Sequence, residues 1–173
     1  MQNFIVSFIG DDRPGIVRDI ADVVSREGGN WLESRMIQLE DKFAGLVRVS
    51  IAEEAGDTLI NQLRALQADA FSLIIEATSA TEAEPKNLYC LDIVGTDRPG
   101  IVHETTAALA QQDVNVVEIS SEISPAAMSG TAMFNCTATV AVGADTNIEA
   151  LDGRLSEIAQ TLAIDIQIEP HST

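Results

Sequence analysis

Two copies of one polar loop offer the most chemistry in this chain. Residues 10–17 read G-D-D-R-P-G-I-V and residues 95–102 read G-T-D-R-P-G-I-V, identical at seven of eight positions. Asp12 and Asp97 can accept hydrogen bonds from an ammonium group. The helix that each loop is expected to open presents unpaired N–H groups to a carboxylate. Because one loop could hold both groups, these residue types favour an amino-acid ligand.

The loop sequence also predicts how its backbone enters the helix. Pro14 suits the first helical turn, where a missing N–H is no loss, and Asp12 could cap that turn. Gly15 and Gly100 are expected at the second helical position, where the missing Cβ leaves room for a ligand at the amide groups. A structural alternative stays open, in which Asp-Arg-Pro-Gly is only a connection between strand and helix.

The two loops lie 85 residues apart, about half of the 173-residue chain. Asn30 and Asn115 match at the same offset, and each amide offers both a donor and an acceptor. A constant offset across the loop and the next strand predicts a duplicated domain. We assign residues 1–78 to an N-terminal domain, 79–86 to a polar linker and 87–173 to a C-terminal domain.

Hydrophobic periodicity predicts the same order of elements in each half. Residues 4–9 form a β-rich run that ends at a glycine, and residues 16–24 carry apolar side chains at helical spacing. The full order, β-α-β-β-α-β, indicates a fold of the α+β class with two tandem ferredoxin-like domains, each an antiparallel sheet with helices on one face. The other face of each sheet needs a cover, such as the other half or a second copy of the chain.

The charge balance excludes some classes of partner. The chain has 27 acidic and 10 basic residues, a net charge of −17, without a basic stripe. We therefore expect no direct binding of nucleic acid. No apolar run nears the roughly 20 residues that span a bilayer, and the first residues lack the pattern of a signal peptide. These features predict a cytoplasmic protein without membrane contact.

No catalytic or metal-binding constellation is visible. His103 and His171 lack metal-ligand spacing to cysteines or carboxylates, and Cys90 and Cys136 form no C-x-x-C pair. Neither a nucleophile elbow nor a phosphate-binding loop occurs. We therefore expect no metal, no cofactor and no enzyme, and a small-molecule enzyme is the least supported alternative.

The motif D-R-P-G-I-V followed by an asparagine, on β-α-β-β-α-β, resembles the ACT domain family of amino-acid-sensing modules. The resemblance covers both halves, and two such domains in tandem are similar to the glycine cleavage system transcriptional repressor group. It implies a regulator of transcription that senses a small amino acid, with glycine as the first candidate. It also implies contact with a DNA-binding regulator protein. The alternative is a ligand-free interaction or dimerisation module.

The same resemblance implies where the ligand binds. The site would lie between the strand-to-helix loop of one domain and the start of the second strand of a neighbour, so we expect a homodimer. Thr96 replaces Asp11 in the second half, and the two sites could therefore differ in ligand, or one of them could be empty. Carried over by position, the ligand-binding residues are Asp12, Gly15, Ile16, Asn30, Asp97, Gly100, Ile101 and Asn115.

Overall fold

The chain divides into two compact units, Met1–Glu82 and Ala83–Thr173. The computed structural model describes residues 1–68, 71–78 and 87–171, and the predicted linker 79–86 lies outside them. Within the described residues, no helix has the length and apolar character that a membrane span requires.

The first unit has the predicted β-α-β-β-α-β order. Its elements are β1 (Gln2–Asp11), α1 (Ile16–Arg26), β2 (Asn30–Leu39), β3 (Lys42–Ile51), α2 (Gly56–Ala65) and β4 (Phe71–Thr78). The strands form one antiparallel sheet in the order β2-β3-β1-β4. A three-residue turn of 3₁₀ helix lies at each end of α2.

The second unit repeats this topology. Its elements are β5 (Asn87–Thr96), α3 (Ile101–Gln111), β6 (Asn115–Pro125), β7 (Ala132–Val142), α4 (Ile148–Leu162) and β8 (Ile164–Pro170). The sheet order is β6-β7-β5-β8, again with antiparallel pairs. Residues 126–131 join β6 to β7, whereas only Glu40 and Asp41 join β2 to β3. The second unit therefore has the longer hairpin loop.

Alternation along the strands places the core on one face of each sheet. Phe4, Val6 and Phe8 of β1 are buried against α1 and α2, whereas Ile5 and Ile9 face the other side. The second unit is built in the same way around β5, α3 and α4. Both helices of a unit thus cover one face of its sheet, and the other face is left without helices.

The start of the first helix in each unit differs from the sequence-based expectation. The helices begin at Ile16 and Ile101, after the proline, and their N-cap residues are Gly15 and Gly100 with φ of 99° and 104°. The prediction of glycine at the second helical position is therefore wrong. The expected cap by Asp12 is also wrong, because no side chain caps this helix. Residues other than glycine rarely adopt such positive φ angles, so the backbone conformation itself requires glycine at these two positions.

Candidate functional site

Each candidate loop leaves the first strand of its unit and is fixed to the neighbouring hairpin. The backbone N–H of Asp12 donates to the Asp41 carbonyl at 2.8 Å, and that of Asp97 donates to the Ala132 carbonyl at 2.9 Å. The loops therefore occupy equivalent places, as the duplication predicted. The carboxylates of Asp12 and Asp97 are exposed and make no hydrogen bond or ion pair with other described residues. Both stay available to a ligand ammonium.

The helix starts next to these carboxylates can receive an anion. Ile16 and Ile101 are buried and anchor the first turns of α1 and α3 in their cores. The first amide groups of a helix have no acceptor within it, and neither helix has a side-chain cap. Their N–H groups and partial positive charge favour a carboxylate at this end.

The two predicted asparagines lie at the opposite end of their sheets. Asn30 is in register with Ser50, whereas Asp11, the last residue of β1, is in register with Lys42. Lys42 and Ser50 are eight positions apart on β3, a distance of about 26 Å at 3.3 Å per residue. Asn115 has the same place in the second unit. Neither unit brings its asparagine to its own loop, so the predicted pairing needs an asparagine from a different copy of the domain.

The loop of the first unit is covered by its own ion pairs. Arg13 Nη2 lies 2.9 Å from Asp19 Oδ2, and Arg18 Nη2 lies 3.3 Å from Asp19 Oδ1. The hydrogen bond from Arg13 is the main cause that lowers the pKa of the Asp19 carboxyl. All three side chains lie within 4 Å of the point that a Cβ on Gly15 would occupy. The carboxylate of Asp19 thus already binds the loop arginine.

A second group of charges lies beside the same loop. Lys42 pairs with Asp11, and its Nζ lies 3.2 Å from Asp41 Oδ2. The hydrogen bond between Lys42 and Asp11 raises the pKa of the lysine and lowers the pKa of the aspartate. These side chains are exposed, so they contribute little to stability. They do reduce the number of free charges that a ligand would meet at this loop.

The loop of the second unit is open. Arg98 makes no side-chain hydrogen bond or ion pair within residues 87–171, although Glu104 stands where the first unit has Asp19. A Cβ on Gly100 would meet no atom within 4 Å. Thr96 and Met133 replace the Asp11–Lys42 pair. Neither Arg13 nor Arg98 was among the site residues predicted from the sequence. The two arginines lie in the same motif, so the motif alone does not show that, of the two, only Arg98 is unpaired within the described residues.

The described residues offer neither a metal site nor a reactive thiol. No group of three or more His, Cys, Asp or Glu side chains among the described residues could hold a metal ion. Cys136 is buried and Cys90 is half-buried. Burial raises the pKa of both thiols, so neither is an activated nucleophile.

Comparison with known proteins identifies the domain family of both units. Residues 2–78 and 90–169 each match the model of the ACT domain. This chain belongs to the ACT domain family. Both units carry the motif and topology from which the resemblance was inferred, so the tandem ferredoxin-like architecture is confirmed.

Individual relatives extend this result. The glycine cleavage system transcriptional repressor of Escherichia coli (strain K12) is 29% identical over 125 residues, which are 70% of this chain but 65% of the relative. The match thus spans just under two thirds of that protein's length. A crystal structure of an unknown protein from Galdieria sulphuraria is 30% identical with a TM-score of 0.88, over 99% of both chains.

A second solved structure shows the same fold. It is a protein provisionally assigned as a glycine cleavage system transcriptional repressor, with a TM-score of 0.74 and 18% identity over 99% of this chain and 98% of that one. Our chain is therefore an ACT-domain protein homologous, at modest identity, to a glycine cleavage system repressor.

Proposed function

We propose that this protein is an amino-acid-sensing regulator that binds its ligand at the loop of the second unit. The observation that carries the proposal is the pair of free, opposite charges on Asp97 and Arg98 beside the uncapped start of α3. An amino acid carries the complementary pair, an ammonium and a carboxylate. Glycine is the first ligand to test, because the E. coli relative is named for the glycine cleavage system.

Each group of the ligand has a matching group in the loop. The Arg98 guanidinium can bind a carboxylate through two parallel hydrogen bonds, and the first amides of α3 add further donors. Asp97 would accept from the ammonium. Gly100 leaves the approach to Ile101 and its neighbours unobstructed. As the family resemblance implies, an asparagine at the start of the second strand of another domain copy would complete the contact.

The loop of the first unit is expected to bind the same ligand more weakly. Arg13 already holds the Asp19 carboxylate, so a ligand carboxylate would have to displace that group. Asp12 and Gly15 are present, but the side chains of Arg13, Arg18 and Asp19 surround the glycine. This difference supports one working site per chain.

The output of the sensor would be contact with a DNA-binding regulator protein. A net charge of −17 gives no release of counterions from DNA, so we expect no specific mobility shift with the purified chain alone. The E. coli relative is named a transcriptional repressor, which supports a role in transcription. To act as a signal, the ligand must bind one state of the complex more tightly than another. Contact with the partner protein must then change the affinity for the ligand by the same factor. The cytoplasmic location stays a prediction from the sequence.

Calorimetry with glycine and a panel of other amino acids tests the site. Asp97→Ala should weaken binding about 10- to 150-fold, because it removes a charge-assisted hydrogen bond worth roughly 1.5–3 kcal/mol. Asp12→Ala is the matched control at the equivalent position and should leave the affinity unchanged. Wild-type affinity in Asp97→Ala would place the site elsewhere. If no amino acid binds or raises the Tm of the wild type, the ligand-free interaction module is the correct function.

A further inference from the structure

The face of the first sheet that turns away from α1 and α2, the N-terminal outer face, exposes apolar side chains. Ile9 and Leu46 are about half exposed, at 52% and 51%, and Ile37 and Ile74 are 63% exposed. An ordinary soluble surface carries such side chains singly rather than as neighbours on one sheet. The apolar members of this face are Ile5, Ile9, Ile37, Leu39, Ala44, Leu46 and Ile74.

Strand register makes these side chains contiguous. Ile37, Ala44 and Ile9 lie side by side across β2, β3 and β1. In the next row, Leu46 and Ile74 flank Ser7 on the same face. Because neighbouring strands are only about 4.8 Å apart, the rows form one continuous patch.

The charges on this face cancel, which is unusual for this protein. Its acidic members are Asp11, Glu33 and Glu76, and its basic members are Arg35, Lys42 and Arg48. The chain as a whole carries −17. On the outer face of the second sheet, the described strands β5 to β8 place carboxylates without any lysine or arginine, namely Asp92, Glu118, Glu122, Asp165 and Glu169.

We propose that two copies of this chain assemble through their N-terminal outer faces. Two molecules of net charge −17 repel each other, and they repel least where the facing surfaces are neutral and apolar. The same face on both partners also satisfies the self-complementarity of a two-fold interface. Two outer faces of the second sheet would instead bring ten carboxylates together, a like-charge contact that opposes docking.

The size of the face sets the expected strength of the dimer. Four strands about 4.8 Å apart and some eight residues of 3.3 Å each give a footprint of roughly 500 Å² per copy. Two copies would together bury on the order of 1,000 Å², near the lower limit for a specific interface. We therefore expect a reversible dimer that dissociates at low protein concentration.

Sedimentation of the full chain over a concentration series, with and without added salt, tests the proposal. The wild type should approach twice its chain mass of 18.5 kDa. Ile9→Glu should weaken association at least about 100-fold, because each interface would bury two unpaired carboxylates. Val94→Glu is the matched control, since Val94 holds the register position of Ile9 on the second sheet and is 43% exposed. It should leave the dimer intact.

Salt provides an independent readout. Screening reduces repulsion between two acidic molecules, so added salt should strengthen a dimer held by an apolar, neutral face. Circular dichroism checks that both variants remain folded. A monomeric wild type at every concentration overturns the proposal. So does Ile9→Glu that stays dimeric, which would place the interface at a sheet edge or another surface.

Discussion

Replacing Thr105 by valine should stabilise the second unit. Thr105 lies on α3, is only 1% exposed, and its hydroxyl has no hydrogen-bond partner among the described residues. It lines a cavity of about 10 Å³ between α3 and the sheet. That volume is at the lower limit for one water molecule. Because the lining is apolar apart from Thr105 and Thr106, a water there would lack the polar partners it needs, so the unpaired hydroxyl is expected to destabilise the second unit.

The residue of the first unit that is equivalent to Thr105 fills its place in the core more completely. Ile20 matches Thr105 at the repeat offset and is fully buried. Val47, paired with Val6, matches Ala138, paired with Leu91. Thr105 is thus smaller than Ile20 on the helix, and Ala138 is smaller than Val47 on the sheet, although Leu91 is larger than Val6. The two smaller side chains contribute to the cavity next to α3.

The expected gain follows from the groups exchanged. Thr105→Val keeps the shape and removes an unsatisfied buried hydroxyl, a stabilisation of about 1–3 kcal/mol. Thr105→Ile adds one methylene to the cavity, about 0.8 kcal/mol more if it fits. The reverse change in the first unit, Ile20→Thr, should cost about 2–4 kcal/mol, because it leaves both a cavity and an unpaired hydroxyl.

Urea unfolding with two probes separates the units. Trp31 is the only tryptophan and reports on the first unit, while circular dichroism follows both. With an m-value of 1–3 kcal/mol per molar, Thr105→Val should raise the midpoint of the second unit by on the order of 1 M. The urea midpoint of the first unit, reported by Trp31, should not change. An unchanged or lower midpoint would refute the assignment of an unsatisfied hydroxyl.

Four further measurements have expected outcomes. Gly100→Ala should lower the free energy of unfolding by roughly 1 kcal/mol or more despite the open space around it, because a φ of 104° strains a residue that carries a Cβ. Gly153→Ala, within α4 and without close neighbours, should raise the free energy of unfolding by about 0.5–1 kcal/mol. Thermal unfolding of each variant measures both changes. Arg13 lowers the pKa of Asp19 below its ordinary value near 3.8, so this carboxylate contributes stability above about pH 4 and loses it as the pH falls through the lower folded-state pKa. The urea midpoint of the wild type should then fall more steeply than that of Asp19→Asn between pH 4 and pH 2, and equal slopes would contradict the ion pair. Cys136 is only 4% exposed, and burial raises the pKa of its thiol. In a chain whose other cysteine is replaced, a thiol reagent at pH 8 should therefore react no faster than the second unit opens.

Local patterns were sufficient to predict the fold. The run 4–9 alternates buried and open positions, and residues 16–24 follow the helical period, so both elements were predicted. The repeat then transferred every assignment to the second half. The turn between β2 and β3 lies at Glu40–Asp41, where Glu40 adopts a positive φ of 53°. Such a backbone angle leaves no clear signal in residue type.

The candidate site was predicted less well, because its geometry depends on distant residues. The glycine of each loop was identified, but its positive φ was missed, although its presence in both copies was a usable signal. The direction of the strands would have shown that Asn30 and Asp12 lie at opposite ends of the sheet. The difference between Arg13 and Arg98 arises from Asp19, outside the shared motif, and no local pattern reveals it.

Two identical motifs can take different roles only if their surroundings differ, and here they do. In the first unit, the loop arginine forms an ion pair with Asp19, and the outer face of the sheet is neutral and apolar. The second unit leaves Arg98 free and covers its outer face with carboxylates. The surface proposed for assembly thus belongs to the first unit, and the loop proposed for ligand binding belongs to the second. Asp97 belongs to the open loop and not to the N-terminal outer face, so Asp97→Ala should weaken ligand binding about 10- to 150-fold while leaving the dimer intact.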